Sequence, residues 1–177
     1  MMKTMTMRSM KTLALAGLVT VAQLASAAAP PAAPDASQIK AAHDLLAAMQ
    51  AEKLMRMTAG ESHYSDARQR QDVMDKLDKV PAEEVYRRLA VPLAQLVSSE
   101  TAAEMTRFYL SNYGQRVLKQ NYNSGAQLYP TMPAPSPAEK EALKKPAYLK
   151  ADQELKAAEP GLHHAEFQLV TAIANGK

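Results

Sequence analysis

The 177-residue chain has no cysteine and no tryptophan, 11 methionines, and 21 basic against 18 acidic residues, a formal net charge of +3. Without cysteine it forms no disulfide, binds no zinc through thiolates and carries no bacterial lipid anchor. Lys3, Arg8 and Lys11 account for the whole basic excess, so the rest of the chain offers no net positive field, and no nucleic-acid partner is expected.

Residues 1–27 join that basic start to an apolar run from Leu13 to Leu24 and to Ala25, Ser26 and Ala27. This is the pattern of a secretory signal peptide with a small-residue cleavage site, and cleavage is expected after Ala27. A membrane anchor is the alternative, but Gly17, Thr20 and Gln23 interrupt the run, which falls short of the roughly 20 residues a spanning helix needs. The processed chain is therefore expected in the periplasm or secreted, with no transmembrane segment. Residues 28–36, rich in alanine and proline, read as an extended linker ahead of a single domain over 37–177.

Apolar positions in that domain recur at helical spacing. A first helix is expected from an N-cap at Ser37 to Gly60, with Ala42, Leu45, Leu46, Met49, Lys53, Leu54 and Met57 along one stripe. A short second helix over 67–77 presents Val73, Met74 and Leu77. A third has Pro81 in its first turn, runs to about Val97 and is lined by Val85, Leu89, Leu93 and Leu96, with Pro92 expected to bend it or remove a backbone bond. A fourth starts near Ser98 or Ser99 and reaches about Gln120. Residues 121–137, with four prolines and one glycine, have no period and read as a surface loop. Two helical segments close the chain. Over 138–158, Glu141 with Lys145 and Asp152 with Lys156 stand at i,i+4 spacing; over 162–174, Leu162, Leu169, Val170 and Ile173 lie near one face. No segment shows sustained two-residue alternation, so the expected fold is all-α. It is a compact array of about six helices, with the third and fourth paired as a central antiparallel hairpin through "SSE".

Glycine spacing excludes several chemistries. No two glycines lie closer than the 11 residues between Gly114 and Gly125, so there is no dinucleotide fingerprint, phosphate loop or nucleophile elbow. Among His43, His63, His163 and His164 no H-E-x-x-H occurs, and no cofactor is expected. Three weaker constellations stand out. "HHAE" supplies His163, His164 and Glu166 as metal ligands if another carboxylate approaches, although adjacent histidines on a helix point about 100° apart, so at most one joins Glu166; surface histidines near a helix start are the plainer reading. Met55 and Met57, with His63 nearby, resemble a soft-ligand copper site, but two methionines at i,i+2 diverge, and Met57 continues the core stripe. "ESHYSD" gathers Glu61, His63, Tyr64 and Asp66 without a nucleophile or oxyanion donor, and a capped interhelical turn explains it.

The remaining cluster is "RFYLSNYGQRVL", residues 107–118, which places Phe108, Tyr109, Ser111, Gly114 and Gln115 inside the expected fourth helix. Glycine inside a helix costs about 1 kcal/mol relative to alanine, so Gly114 marks either a local break or close approach by another backbone, and the flanking apolar residues favour close approach. Ser111 and Gly114 would form a notch, with Tyr109 and Tyr113 to one side and Phe108 to the other. Shifted by 38 residues, part of this region aligns with 136–156 (Ser98 with Ser136, Gln115 with Gln153), where a decayed repeat and chance similarity both fit.

From "VPAEEVYRRL" through "SSETAAEMTRFYLSNYGQRVLKQ", about residues 80–123, the chain resembles the bacterial exported family known as domain of unknown function 2059. Its mark is an acidic helix start, here Glu100 and Glu104, followed by F-Y-x-S/T-x-x-G-x-K/R and an apolar pair. Phe108-Tyr109, Ser111, Gly114 and Gln115-Arg116 fill those places, while Asn112 and Tyr113 stand where the family often has proline and alanine. The resemblance implies an exported helical domain and no particular activity. The expected role is a non-enzymatic module that binds an envelope component. The alternatives are a metal-dependent or hydrolytic enzyme using His63 or the pair His163 and Glu166, and a copper-handling protein using Met55, Met57 and His63.

Overall fold

In a computed structural model of the protein, which describes residues 33–123 and 132–177, the first helix is opened by Asp35. Its carboxylate accepts from the backbone of Ser37 and Gln38, and the Gln38 side chain returns a bond to the Asp35 backbone. That reciprocal box replaces the expected cap at Ser37. The signal segment over 1–27, linker residues 28–32 and residues 124–131 lie outside the described residues.

The described residues form eight helices and no strand, and the protein is all-α. They run α1 (Ala36–Met49), α2 (Ala51–Glu61), α3 (Ala67–Leu77), α4 (Ala82–Ala94), α5 (Ser99–Leu110), α6 (Asn112–Asn123), α7 (Pro137–Leu143) and α8 (Pro146–Ala174). The rise over the expected count comes from two interruptions. Gln50 adopts a left-handed conformation (φ 57°, ψ 51°) and splits the expected first helix into α1 and α2. Such a residue rotates the following helix out of phase with the one before. The stripe therefore holds through Ala42, Leu45, Leu46 and Met49 and then shifts to Ala51, Met55 and Ala59, leaving Lys53 and Met57 exposed. Gly60 lies inside α2 rather than ending it. The second interruption, at Ser111, divides the expected fourth helix.

α3 matches its expected limits, with Val73 and Leu77 buried. Pro81 sits at the N-cap of α4. Val85, Leu89 and Leu93 are buried as expected, but the helix stops at Ala94, so Val97 turns inward and Leu96 outward. Ser98 caps α5, its hydroxyl accepting from Thr101 N. The central hairpin is corrected: α4 and α5 scarcely meet, because α1 packs against both and inserts fully buried Leu45 and Leu46 between neighbouring elements.

At the C-terminal end the expected division at 159–161 is also corrected. α8 runs unbroken through Pro160 and Gly161 for 29 residues. Its buried stripe of Ala151, Leu155, Ala158, Leu162, Leu169, Val170 and Ile173 lies across α2, α3, α4 and α5, and that continuous burial outweighs the roughly 3 kcal/mol that proline costs in a helix. Gly161 admits Leu96, whose methyls would stand 2.9 Å from an added Cβ. The break falls instead at Lys144-Lys145, before Pro146 in the first turn of α8, so Glu141 pairs with Lys144 rather than Lys145, while Asp152 and Lys156 pair as expected. A repeat of the Ser111 break would fall at Leu149, which is helical, so the two stretches do not share their architecture.

No helix among the described residues is long and apolar enough to cross a membrane.

Candidate functional site

The motif at 108–115 is a joint between two helices. Ser111 is extended (φ −70°, ψ 160°) and serves both ends: its N–H and hydroxyl donate to the Phe108 carbonyl at 3.0 and 2.6 Å, and its oxygen accepts from Gly114 N at 3.1 Å. Gln115 Nε2 donates to the Tyr109 carbonyl at 2.5 Å, satisfying an acceptor that the break exposes. Gly114 is buried against this turn. A Cβ there would stand 2.0 Å from the Phe108 oxygen, a contact only glycine avoids. Both expected readings of Gly114 are therefore present at once, a break and a close approach, but the approaching backbone is the end of the preceding helix rather than a distant one.

The break also regroups the aromatics. Phe108 does not point away from the tyrosines; it stands at the centre of a cluster with Tyr109, Tyr113 and Tyr148, ring centroids 5.0, 6.1 and 5.2 Å away. Arg116 lies over the Tyr113 ring and makes a forked pair with Glu139, tying α6 to α7. Its guanidinium, with the Ser136 backbone, holds the Glu139 carboxyl down at about 2. Burial, with the neighbouring Tyr148, pushes the Tyr109 hydroxyl up to about 12.

Tyr109 turns its other side to a cavity of about 480 Å³ bordered by α1, α2, α5, α6 and α8. Met49, Leu54, Met57, Leu118, Leu155 and Leu162 supply most of its apolar wall, and Tyr122 closes one side, its hydroxyl donating to the Met49 carbonyl at 2.7 Å. Glu166 lines the same space and is wholly buried. One carboxyl oxygen, Oε2, accepts from the Thr58 hydroxyl at 3.1 Å and lies 3.8 Å from His163 Nδ1; the other, Oε1, has no hydrogen-bond partner among the described residues. Burial pushes this carboxyl up to about 7, only partly offset by the Thr58 bond.

Of the "HHAE" residues, then, His163 and Glu166 come together, while His164 faces away and pairs with Gln168 at 2.9 Å. Both histidines are exposed, as expected of surface residues; Glu166 is not. Its burial was readable in the sequence, since it stands four residues after Leu162 and three before Leu169 on the same apolar stripe. Met55 is buried and Met57 is 44% exposed, so the pair diverges, with the core role falling to Met55 rather than Met57. "ESHYSD" is a capped turn: Asp66 accepts from Gln69 N at 2.8 Å, Tyr64 donates to the Ala59 carbonyl, and His63 is exposed. Among the described residues no three histidine, aspartate or glutamate side chains cluster closely enough to hold a metal ion.

Against known proteins, no family model, no curated protein and no solved structure matches the chain.

Proposed function

We propose that the protein is a non-enzymatic binding module of the bacterial cell envelope, exported by residues 1–27, and that it holds a small, largely apolar molecule in the cavity beside Glu166. The observation that carries this reading is the cavity itself, a largely apolar recess of about 480 Å³ with a few polar groups in its lining, which is the ordinary form of a small-molecule site. The resemblance to domain of unknown function 2059 and the signal-like start support the export half of the proposal.

An enzymatic reading draws on Glu166, whose carboxyl near 7 suits proton transfer, and on His163 beside it. The described lining residues give it little to work with: apart from the two tyrosines they include no nucleophilic hydroxyl, thiol or amine.

Titration with the neutral fluorophore N-phenyl-1-naphthylamine tests the binding reading. Saturable binding of one probe per chain is expected, and Met57→Trp at the mouth should weaken it at least tenfold. Binding that does not saturate, or that Met57→Trp leaves unchanged, would overturn it, as would stoichiometric zinc or copper in the purified protein.

A further inference from the structure

The polar groups of the cavity are unevenly signed. Two carboxyls, Glu159 and Glu166, line it, and no lysine or arginine does so among the described residues. Lys53, which is not among the lining residues, stands over the Tyr122 ring at 5.6 Å and donates to the Gln50 side chain. Tyr109 and Tyr122 add two aromatic rings, whose faces attract cations. Glu166 Oε1 is a strong acceptor, sealed from solvent and without a partner among the described residues, an arrangement that costs free energy until a donor meets it.

Resting on the cavity reading above, we infer that the ligand is an amphipathic organic amine, bound as its ammonium, with its apolar body among Met49, Leu118, Leu155 and Leu162 and its N–H donors on the Glu166 carboxyl. A fatty acid of the same length would set a third carboxyl beside Glu159 and Glu166. An alcohol would satisfy one acceptor without meeting the charge. An ammonium does both, and its apolar tail replaces water along the wall.

The groups facing Glu166 set the pH dependence. α2 contributes Thr58, α5 Tyr109, α6 Tyr122, and α8 itself Glu159 and His163; α1 contributes only apolar Met49. Alkylammonium ions keep their charge through the neutral range, whereas Glu166 ionises around 7. Pairing therefore strengthens as pH rises, by about tenfold between pH 6 and pH 8 for a single such group.

Calorimetric titration of the protein with octylamine, octanol and octanoate separates the claims. Octylamine is expected to bind at least tenfold tighter than octanol and octanoate at pH 8, and the preference should shrink at pH 6. Glu166→Gln should lose both the preference for octylamine over octanol and its pH dependence. Octanol or octanoate binding as well as octylamine would overturn the inference and leave the cavity reading standing; no binding of any of the three would overturn both. A pH dependence that survives in Glu166→Gln would belong to another group and would also overturn the inference.

Discussion

Glu154 and Glu166 both project from α8 toward neighbouring helices, and they are treated in opposite ways. Glu154 accepts from Ser98 N at 2.6 Å, from the Ser98 hydroxyl at 3.2 Å and from the Thr101 hydroxyl at 2.6 Å. Burial opposes its charge, yet those bonds hold the carboxyl below its usual range. Glu166 is more deeply buried, receives one bond, from Thr58, and is pushed up to about 7. The contrast shows that burial alone does not decide what a carboxyl does. Glu154 is spent on fastening the start of α5 to α8, and its acceptors are full. Glu166 keeps an acceptor in reserve beside a cavity.

The largest expected effect is a steric one that gauges both carboxyls. Gly114→Leu drives a side chain into the Phe108 carbonyl and should cost about 3 kcal/mol or more, visible as a large drop in melting temperature that is the same at pH 5 and pH 8. Unchanged stability would mean that the joint is not close-packed. Glu154→Ala removes the acceptor for buried Thr101 and for Ser98 N and should cost about 2 kcal/mol by chemical denaturation. If it costs nothing, the bonds at Glu154 do not fasten the helices and the contrast with Glu166 fails.

Glu166→Gln should act with the opposite sign. Because folding raises this carboxyl from 4.5 to about 7, the native state keeps a proton that the unfolded chain releases, and the stabilisation present at acid pH is lost as pH rises through that window. The total is on the order of 3 kcal/mol by linkage. Denaturation curves should therefore show the glutamine variant gaining on wild type by about that amount between pH 4.5 and pH 8. A parallel pH profile would place Glu166 in a wetter setting than its burial indicates. The smallest effect belongs to Ser111→Ala, about 1 kcal/mol, typical of a lost N-cap and insensitive to pH.

Most of the helical content was legible because apolar spacing and caps agree, as they do across α3 and at Ser98 before α5. The two breaks were not. Left-handed backbone is ordinarily marked by glycine or asparagine, and Gln50 gives no such mark. Ser111 is a good cap, but it sits in an unbroken apolar period that reads equally well as one helix. The Pro160-Gly161 pair misled in the other direction, because a local stop signal was overridden by packing that only the assembled helices supply. For the site, the stripe from Leu162 to Ile173 already placed Glu166 on the inward face. What the sequence withheld was its company: Thr58 lies 108 positions away, and Tyr109 and Tyr122 come to the cavity from the two helices that Ser111 divides.

Three of the cavity's lining residues stand at or next to an irregularity. Met49 precedes the left-handed Gln50, Tyr109 lies just before the Ser111 joint, and Pro160 interrupts the bonding of α8. Healing any of these faults, with glycine at position 50 or an ordinary helix former at position 160, is a route to a sturdier molecule. Stability and hollowness are thus in competition along this chain, and thermostable variants selected without regard to binding should accumulate their substitutions around the recess and lose it first.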